Sequence, residues 1–268
     1  MNIPSVSSEV NFNHLKINKA ISKNFNKISP AFYKLISDWF IAAFSNFKDI
    51  EQYVILIYLI RNDFIFYRRN GIILDYESFY KDKNLEISKI NLTTISKDLK
   101  IPKESVRRKI ASLENAGVLK KNGKKIIIDR NAYQTVRPIK TLKNVSILLS
   151  IFSEILFKEK IISSTYSQEH LSSTIKKNFS FCWYQFYKFL FIHINIVKKQ
   201  YPDLEAFCIG MIIMYNAATH KDFKNKNLNL KKWRTEISVA DKVGLNTMSI
   251  SDISQIPRST VVRKLKIL

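Results

Sequence analysis

Residue matches at a nearly constant offset constrain this chain more than any other feature. Shifting the sequence by 154 positions sets Ile21, Lys23, Asn24 and Phe25 against Ile175, Lys177, Asn178 and Phe179. The same shift lays Phe32-Tyr33-Lys34 over Phe186-Tyr187-Lys188, and Asp49, Glu51, Ile55 and Asn62 over Asp203, Glu205, Ile209 and Asn216. At an offset of 155, Asn91, Ile95, Ser96, Ile101, Pro102, Val106, Arg108, Lys109 and Leu113 meet Asn246, Ile250, Ser251, Ile256, Pro257, Val261, Arg263, Lys264 and Leu268. Self-similarity is weighed first because it sets the whole architecture. Here it predicts a tandem duplication, with some matches owed to a Lys/Ile/Asn-rich composition.

Each half reads as two apolar helices followed by a helix-turn-helix. Ser29-Pro30 has the form of an N-cap with Pro at the first helical position, predicting a helix from Ala31 to about Phe47. Asp49 then caps a very apolar helix to about Tyr67, and Asp203 holds the equivalent place. Helices this apolar must be buried, against one another or against a partner chain. Segments 68–88 and 221–232 are polar and are expected to be loops. Leu142, Val145, Leu148, Leu149, Phe152, Ile155 and Leu156 keep 3-4 spacing, predicting an amphipathic helix over 141–160. A Ser/Thr-rich linker over 162–174 follows.

The ends of the two halves carry the functional signal. Asn91 and Asn246 are placed to cap a short helix, and Pro102 and Pro257 to open the next, where a missing N–H costs nothing. In the first copy Val106, Ile110 and Leu113 make one buried stripe and leave Lys103, Glu104, Arg107 and Arg108 outside. In the second, Val261, Leu265 and Leu268 make the stripe, leaving Arg258, Ser259, Val262 and Arg263 outside. Gly117 supplies a helix stop. Asn122-Gly123 between Val118-Leu119-Lys120-Lys121 and Lys124-Lys125-Ile126-Ile127-Ile128 predicts a type I′ hairpin with four lysines around its tip. From Asn91 to Arg130 there are eleven basic and four acidic residues, a net of +7.

These segments resemble the winged helix-turn-helix regulators of bacteria, most closely the Crp/Fnr type. There a segment like Ile-x-x-Ile-x-x-x-(Ser/Pro)-(Arg/Lys)-Glu-(Ser/Thr)-Val-x-Arg builds the reading head. Ile250 to Arg263 matches its apolar spacing better, and Lys103 to Arg108 its reading face better. The resemblance covers about a quarter of the chain, and the cyclic-nucleotide barrel of that class is absent. It implies that Lys103, Glu104 and Arg108 reach base edges and Ser105 a phosphate, with Arg258 and Arg263 as counterparts. Arg and Lys suit guanine O6/N7, and Glu accepts from cytosine N4. The expected DNA-binding set is Lys103, Glu104, Ser105, Arg107, Arg108, Lys120, Lys121, Lys124, Lys125, Arg258, Ser259, Thr260 and Arg263. Recognition helices are expected over 102–114 and 257–268.

The fold class expected is mainly α, a tandem repeat of helical regions and winged helix-turn-helices, with a small β-hairpin wing in the first copy. The expected organisation is a tail over 1–20, a first repeat over 21–134 with its head at 88–130, a connecting helix and linker over 135–174, and a second repeat over 175–268 with a wingless helix-turn-helix at 245–268. A second wing missing before Leu268 reads either as a head that works without one or as a fragment.

The net charge of +22 predicts attraction to polyanions, nucleic acid or an anionic membrane, the alternative being a solvated basic surface. No run is long and apolar enough for a membrane span, and the N-terminus lacks a secretory signal. Cys182 and Cys208 read as free thiols, and the expected location is the cytoplasm, on the nucleoid. No catalytic site, metal site or cofactor is expected. His14, His170, His193 and His220 are scattered, five glycines leave little room for a phosphate loop, and Asp49/Glu51 and Asp203/Glu205 read as helix-start charges. His193 reads as a hydrogen-bonded core residue. The aromatic cluster Phe181, Trp183, Tyr184, Phe186, Tyr187, Phe189 and Phe191 reads as core, or as an effector pocket for an unknown small molecule. The partner expected is double-stranded DNA, with a homodimer through the apolar helices open. The function expected is a transcriptional regulator; alternatives are a plasmid or phage replication initiator and a protein-interaction adaptor.

Overall fold

Four long apolar helices pack together, and the remaining elements hang from them. The computed structural model describes residues 13–88, 90–133, 137–201, 203–224, 226–238 and 244–268. It is mainly α: among the described residues the elements run α1 (His14–Lys23), α2 (Phe25–Phe47), α3 (Ile50–Arg69), α4 (Tyr76–Phe79), β1 (Asn84–Ser88), α5 (Leu92–Leu99), α6 (Lys103–Asn115), β2 (Leu119–Asn122), β3 (Lys125–Asp129), α7 (Ile139–Lys158), α8 (Gln168–Lys177), α9 (Phe179–Gln200), α10 (Leu204–Thr219), α11 (Lys221–Lys224), α12 (Leu230–Ser238), α13 (Thr247–Ser254) and α14 (Arg258–Leu265). No described helix is long and apolar enough to cross a membrane.

The core forms crosswise. Helix α2 lies against α10 and α3 against α9, so each half's first long helix packs on the other half's second. Phe40 meets Phe207 edge-on at 5.3 Å, while Phe64 meets Tyr187 at 5.6 Å. Leu35, Ile36, Phe40, Ile55, Leu56 and Leu59 are almost fully buried, each contributing roughly 1.5–3 kcal/mol. Asp49 and Asp203 cap α3 and α10, accepting hydrogen bonds from the Gln52 and Ala206 amides. Helices α5 and α6 rest on α3, while α13 and α14 rest on α10.

Several boundaries differ from the sequence expectation. Helix α2 starts at Phe25, with Pro30 inside it rather than at its start. Proline forfeits one intrahelical bond there. Asn26 anchors the first turn instead: its amide donates to the Leu228 carbonyl, and its Nδ2 to those of Phe223 and Lys226. Residues 13–20 of the expected tail hold Asn13, which caps α1, and most of that helix; 1–12 lie outside the described residues.

The segment expected to loop over 68–88 holds α4 and β1. Tyr76 and Phe79 are buried there, and the Phe79 ring stacks on Phe64 at 4.7 Å. Within 221–232 lie α11 and the start of α12, where Phe223 and Leu228 join Trp233 in a small core against Tyr33. The amphipathic helix forms as α7. The linker after it shrinks to 159–167, because Ser167 caps α8 by accepting from the His170 amide.

The hairpin is part of a three-stranded antiparallel sheet in the order β1-β3-β2. Leu85 and Leu119 flank Ile128, and Ile87 faces Ile126, giving the sheet one buried face. Asn122 pairs with Lys125, so the turn centre is Gly123-Lys124 rather than Asn122-Gly123. Only Gly123 has positive φ there, at 55°, which is the residue pattern of a type II′ turn.

Candidate nucleic-acid interface

The two helix pairs are built alike from local chemistry. Asn91 accepts from the Thr93 amide and Asn246 from the Ser249 amide, capping α5 and α13. Both helices end on a left-handed residue, Lys100 at φ 52° and Gln255 at φ 61°. Ile101 and Ile256 are buried next, and Pro102 and Pro257 enter α6 and α14 with φ of −52° and −54°. Val106, Ile110 and Leu113 face the core in α6. In α14, Val261 is buried, Leu265 is half-buried, and Leu268, expected on the buried stripe, is half exposed beside Gly210. That stripe is weaker because α14 ends at Leu265, before Leu268.

Lys103, Glu104, Arg107, Arg108, Lys120, Lys121, Lys124, Lys125, Arg258, Ser259 and Arg263 are exposed, while Ser105 and Thr260 are half-buried. Charge neutralisation divides them. Arg107 grips Glu104 with Nε at 3.0 Å and Nη2 at 2.5 Å, and this pairing holds the Glu104 carboxyl below its ordinary pKa. Lys121 pairs with Glu114 at 2.6 Å, and Lys125 with Glu86. Lys103, Arg108, Lys120 and Lys124 form no ion pair with any described residue, nor do Arg258 and Arg263. The first α6–hairpin region therefore presents four uncompensated cations and three compensated ones. The second pair exposes apolar side chains beside its cations, with Val262 43% and Ile253 45% accessible.

Sequence reasoning missed two lysines that turn inward, Lys109 half-buried and Lys264 buried. Lys109, three residues after Val106, turns inward to Asp49 and lies 3.5 Å from Glu51. Lys264 does the same with Asp203 and lies 3.3 Å from Glu205. Burial opposes ionisation of Asp203, but the Lys264 hydrogen bond and two backbone amides outweigh it and lower its pKa. Lys198 on α9 also reaches Glu51 at 2.8 Å and the Leu99 carbonyl at 3.3 Å, tying the far half to the first helix pair. The recurrence of Lys, Asp and Glu at matched positions was the available signal.

Other titratable groups lie apart from this surface. Among the described residues no three metal-ligating side chains cluster. His193 sits among Phe32, Phe189 and Phe207, and its buried Nε2 has no hydrogen-bonding partner. The sequence expectation of a hydrogen-bonded histidine fails because three rings surround it, and burial lowers its pKa. Of the aromatic cluster, Trp183, Phe186 and Tyr187 are buried, while Phe181 and Phe189 are each 40% exposed. No family model, curated protein or solved structure matches this chain.

Proposed function

We propose that the protein binds double-stranded DNA, as a transcriptional regulator, through α6 and the β2–β3 hairpin. The observation that carries this reading is the set of uncompensated cations: Lys103 and Arg108 on α6, Lys120 and Lys124 at the hairpin. A cation without an internal partner is free to displace counterions from phosphate, or to meet a guanine edge. We read 21–134 and 175–268 as copies of one unit, each ending in a reading head, the first a winged helix-turn-helix. The shared left-handed turns, the matching lysine–carboxylate clusters and the reciprocal packing support that reading. Arg258 and Arg263 give the second head a smaller charged face. Two heads on one chain suit half-sites about 34 Å apart.

Fluorescence anisotropy with duplex DNA across a salt series tests the proposal. Affinity should fall steeply with salt, and replacing Lys103, Arg108, Lys120 and Lys124 together by Ala should flatten the logarithmic slope by about 3–4. Binding that is undetectable or indifferent to salt overturns the reading and favours the adaptor. Sequencing the genomic fragments retained by the protein separates scattered promoter sites, expected of a regulator, from one iterated array, expected of an initiator.

A further inference from the structure

A cavity of about 110 Å³ opens where α2, α3, α9 and the start of α7 meet the base of the sheet. Trp39, Tyr53, Tyr80, Tyr133, Trp183 and Tyr187 supply its aromatic walls. Apart from Asp38, its polar side chains can all donate hydrogen bonds. Trp183 is 1% exposed, and its buried indole N–H lies beside the Tyr187 hydroxyl. Burial raises the pKa of the Tyr80, Tyr133 and Tyr187 hydroxyls, so they keep their protons.

Two guanidiniums border the cavity. Arg130, 6% exposed, stacks on Phe79 and Tyr80 at 4.6 and 5.3 Å, and its Nη1 donates to the Asp82 carbonyl. Arg137 lies over the Tyr76 and Tyr80 rings at 5.8 and 5.7 Å, and it pairs with the exposed Glu77. The lining carboxylate, Asp38, is already occupied: Asn144, Lys140 and Lys34 all donate to it or pair with it at 2.8–3.1 Å.

We infer that this cavity is a binding site for a single-ring aromatic carboxylate, its ring between the tryptophan and tyrosine walls and its carboxylate towards Arg137. A six-membered ring matches a space of this order. Flat aromatic walls reward a ring over an aliphatic chain. A carboxylate can pair with the Arg137 guanidinium, which a neutral ligand cannot. Bare phosphate meets too little polar surface here to replace its hydration. The site stands whether or not the helix pairs bind DNA.

Titrating the full chain with benzoate tests this, read by tryptophan fluorescence and by saturation-transfer NMR on the ligand. Trp39 and Trp183 line the cavity and Trp233 belongs to a separate core, so quenching should be partial and saturable. Benzoate should bind at least about tenfold tighter than either benzyl alcohol or acetate, and Arg137→Ala should weaken it by about tenfold. Ala42→Leu, which fills one wall, should abolish binding with the circular dichroism spectrum unchanged. Equal binding of the alcohol overturns the anion assignment, and equal binding of acetate overturns the ring. Absent saturation, or unchanged binding in both variants, overturns the site.

Discussion

Lys264 shows how a single residue separates charge patterning from surface chemistry. Read along the helix it belongs with Arg258 and Arg263, three cations on a basic segment. The fold turns it inward to 9% exposure against Asp203 and Glu205, where it closes α14 onto the start of α10. Replacing it with Met leaves two carboxylates facing each other with one cation fewer, and should destabilise the protein by about 1–2 kcal/mol at pH 7, since the pair is only partly screened from water. The pH dependence has a definite sign. Asp203 has a depressed pKa in the folded protein, so its contribution is complete above the ordinary carboxylate range and is lost as pH falls through the folded value. Urea denaturation of Lys264→Met and the parent should therefore differ clearly at pH 7, and by a shrinking margin as pH falls below the ordinary carboxylate range. A gap that widens on acidification would remove Lys264 from this role. The exposed cations, by contrast, were legible directly, because the apolar stripe Val106, Ile110 and Leu113 fixes which side of α6 faces water.

At the scale of elements, the legible features were those written in side-chain chemistry close in sequence. Asn91, Asn246 and Asp49 cap where a polar residue precedes an apolar run, and α7 forms where the 3-4 spacing is continuous. What stayed hidden was set by distant contacts. Strand β1 has only five residues and is recruited by pairing with β3, which lies forty residues on; Asn26 holds the first turn of α2 through carbonyls in the other half. The turns between the paired helices were legible as turns, but their left-handed backbone was not, since Lys100 and Gln255 adopt it without glycine. Burial of Ile101 and Ile256 forces the chain through that conformation, at a local cost of roughly 1–2 kcal/mol for an L-residue. Lys100→Gly and Gln255→Gly should each relieve that strain and stabilise by about 0.5–1 kcal/mol, the gain being trimmed by glycine's greater freedom when unfolded. Chemical denaturation of the two variants checks this, and a clear loss at either turn would contradict the left-handed assignment. Glycine at Lys97, inside α5, should cost up to about 1 kcal/mol and serves as the contrast.

The whole molecule gains its cooperativity from crosswise packing. If α2 packed mainly on α3, and α9 on α10, each half would carry its own core and could melt alone. Instead α2 buries Phe40 against Phe207 of α10, α3 buries Phe64 against Tyr187 of α9, and Lys198 of α9 is held by Glu51 and the end of α5. Each half thus supplies what the other needs to bury its apolar helices, and separating them would expose most of the core at once. The two helix pairs are fixed to helices of this shared core, so their separation is a property of the fold rather than of a linker. That matters for the proposed DNA reading, because a fixed separation selects half-site spacing without dimerisation. The prediction is a single unfolding transition, with tryptophan fluorescence and helical circular dichroism coinciding in urea. Phe40 is fully buried, and Phe40→Ala should lower the midpoint of both probes together, at a cost of about 3–5 kcal/mol. Two resolved transitions, or a Phe40→Ala protein in which α6 and its hairpin keep their native amide-exchange protection while α13 and α14 lose theirs, would show that the halves stand independently. The crosswise core would then not be what sets the distance between the helix pairs.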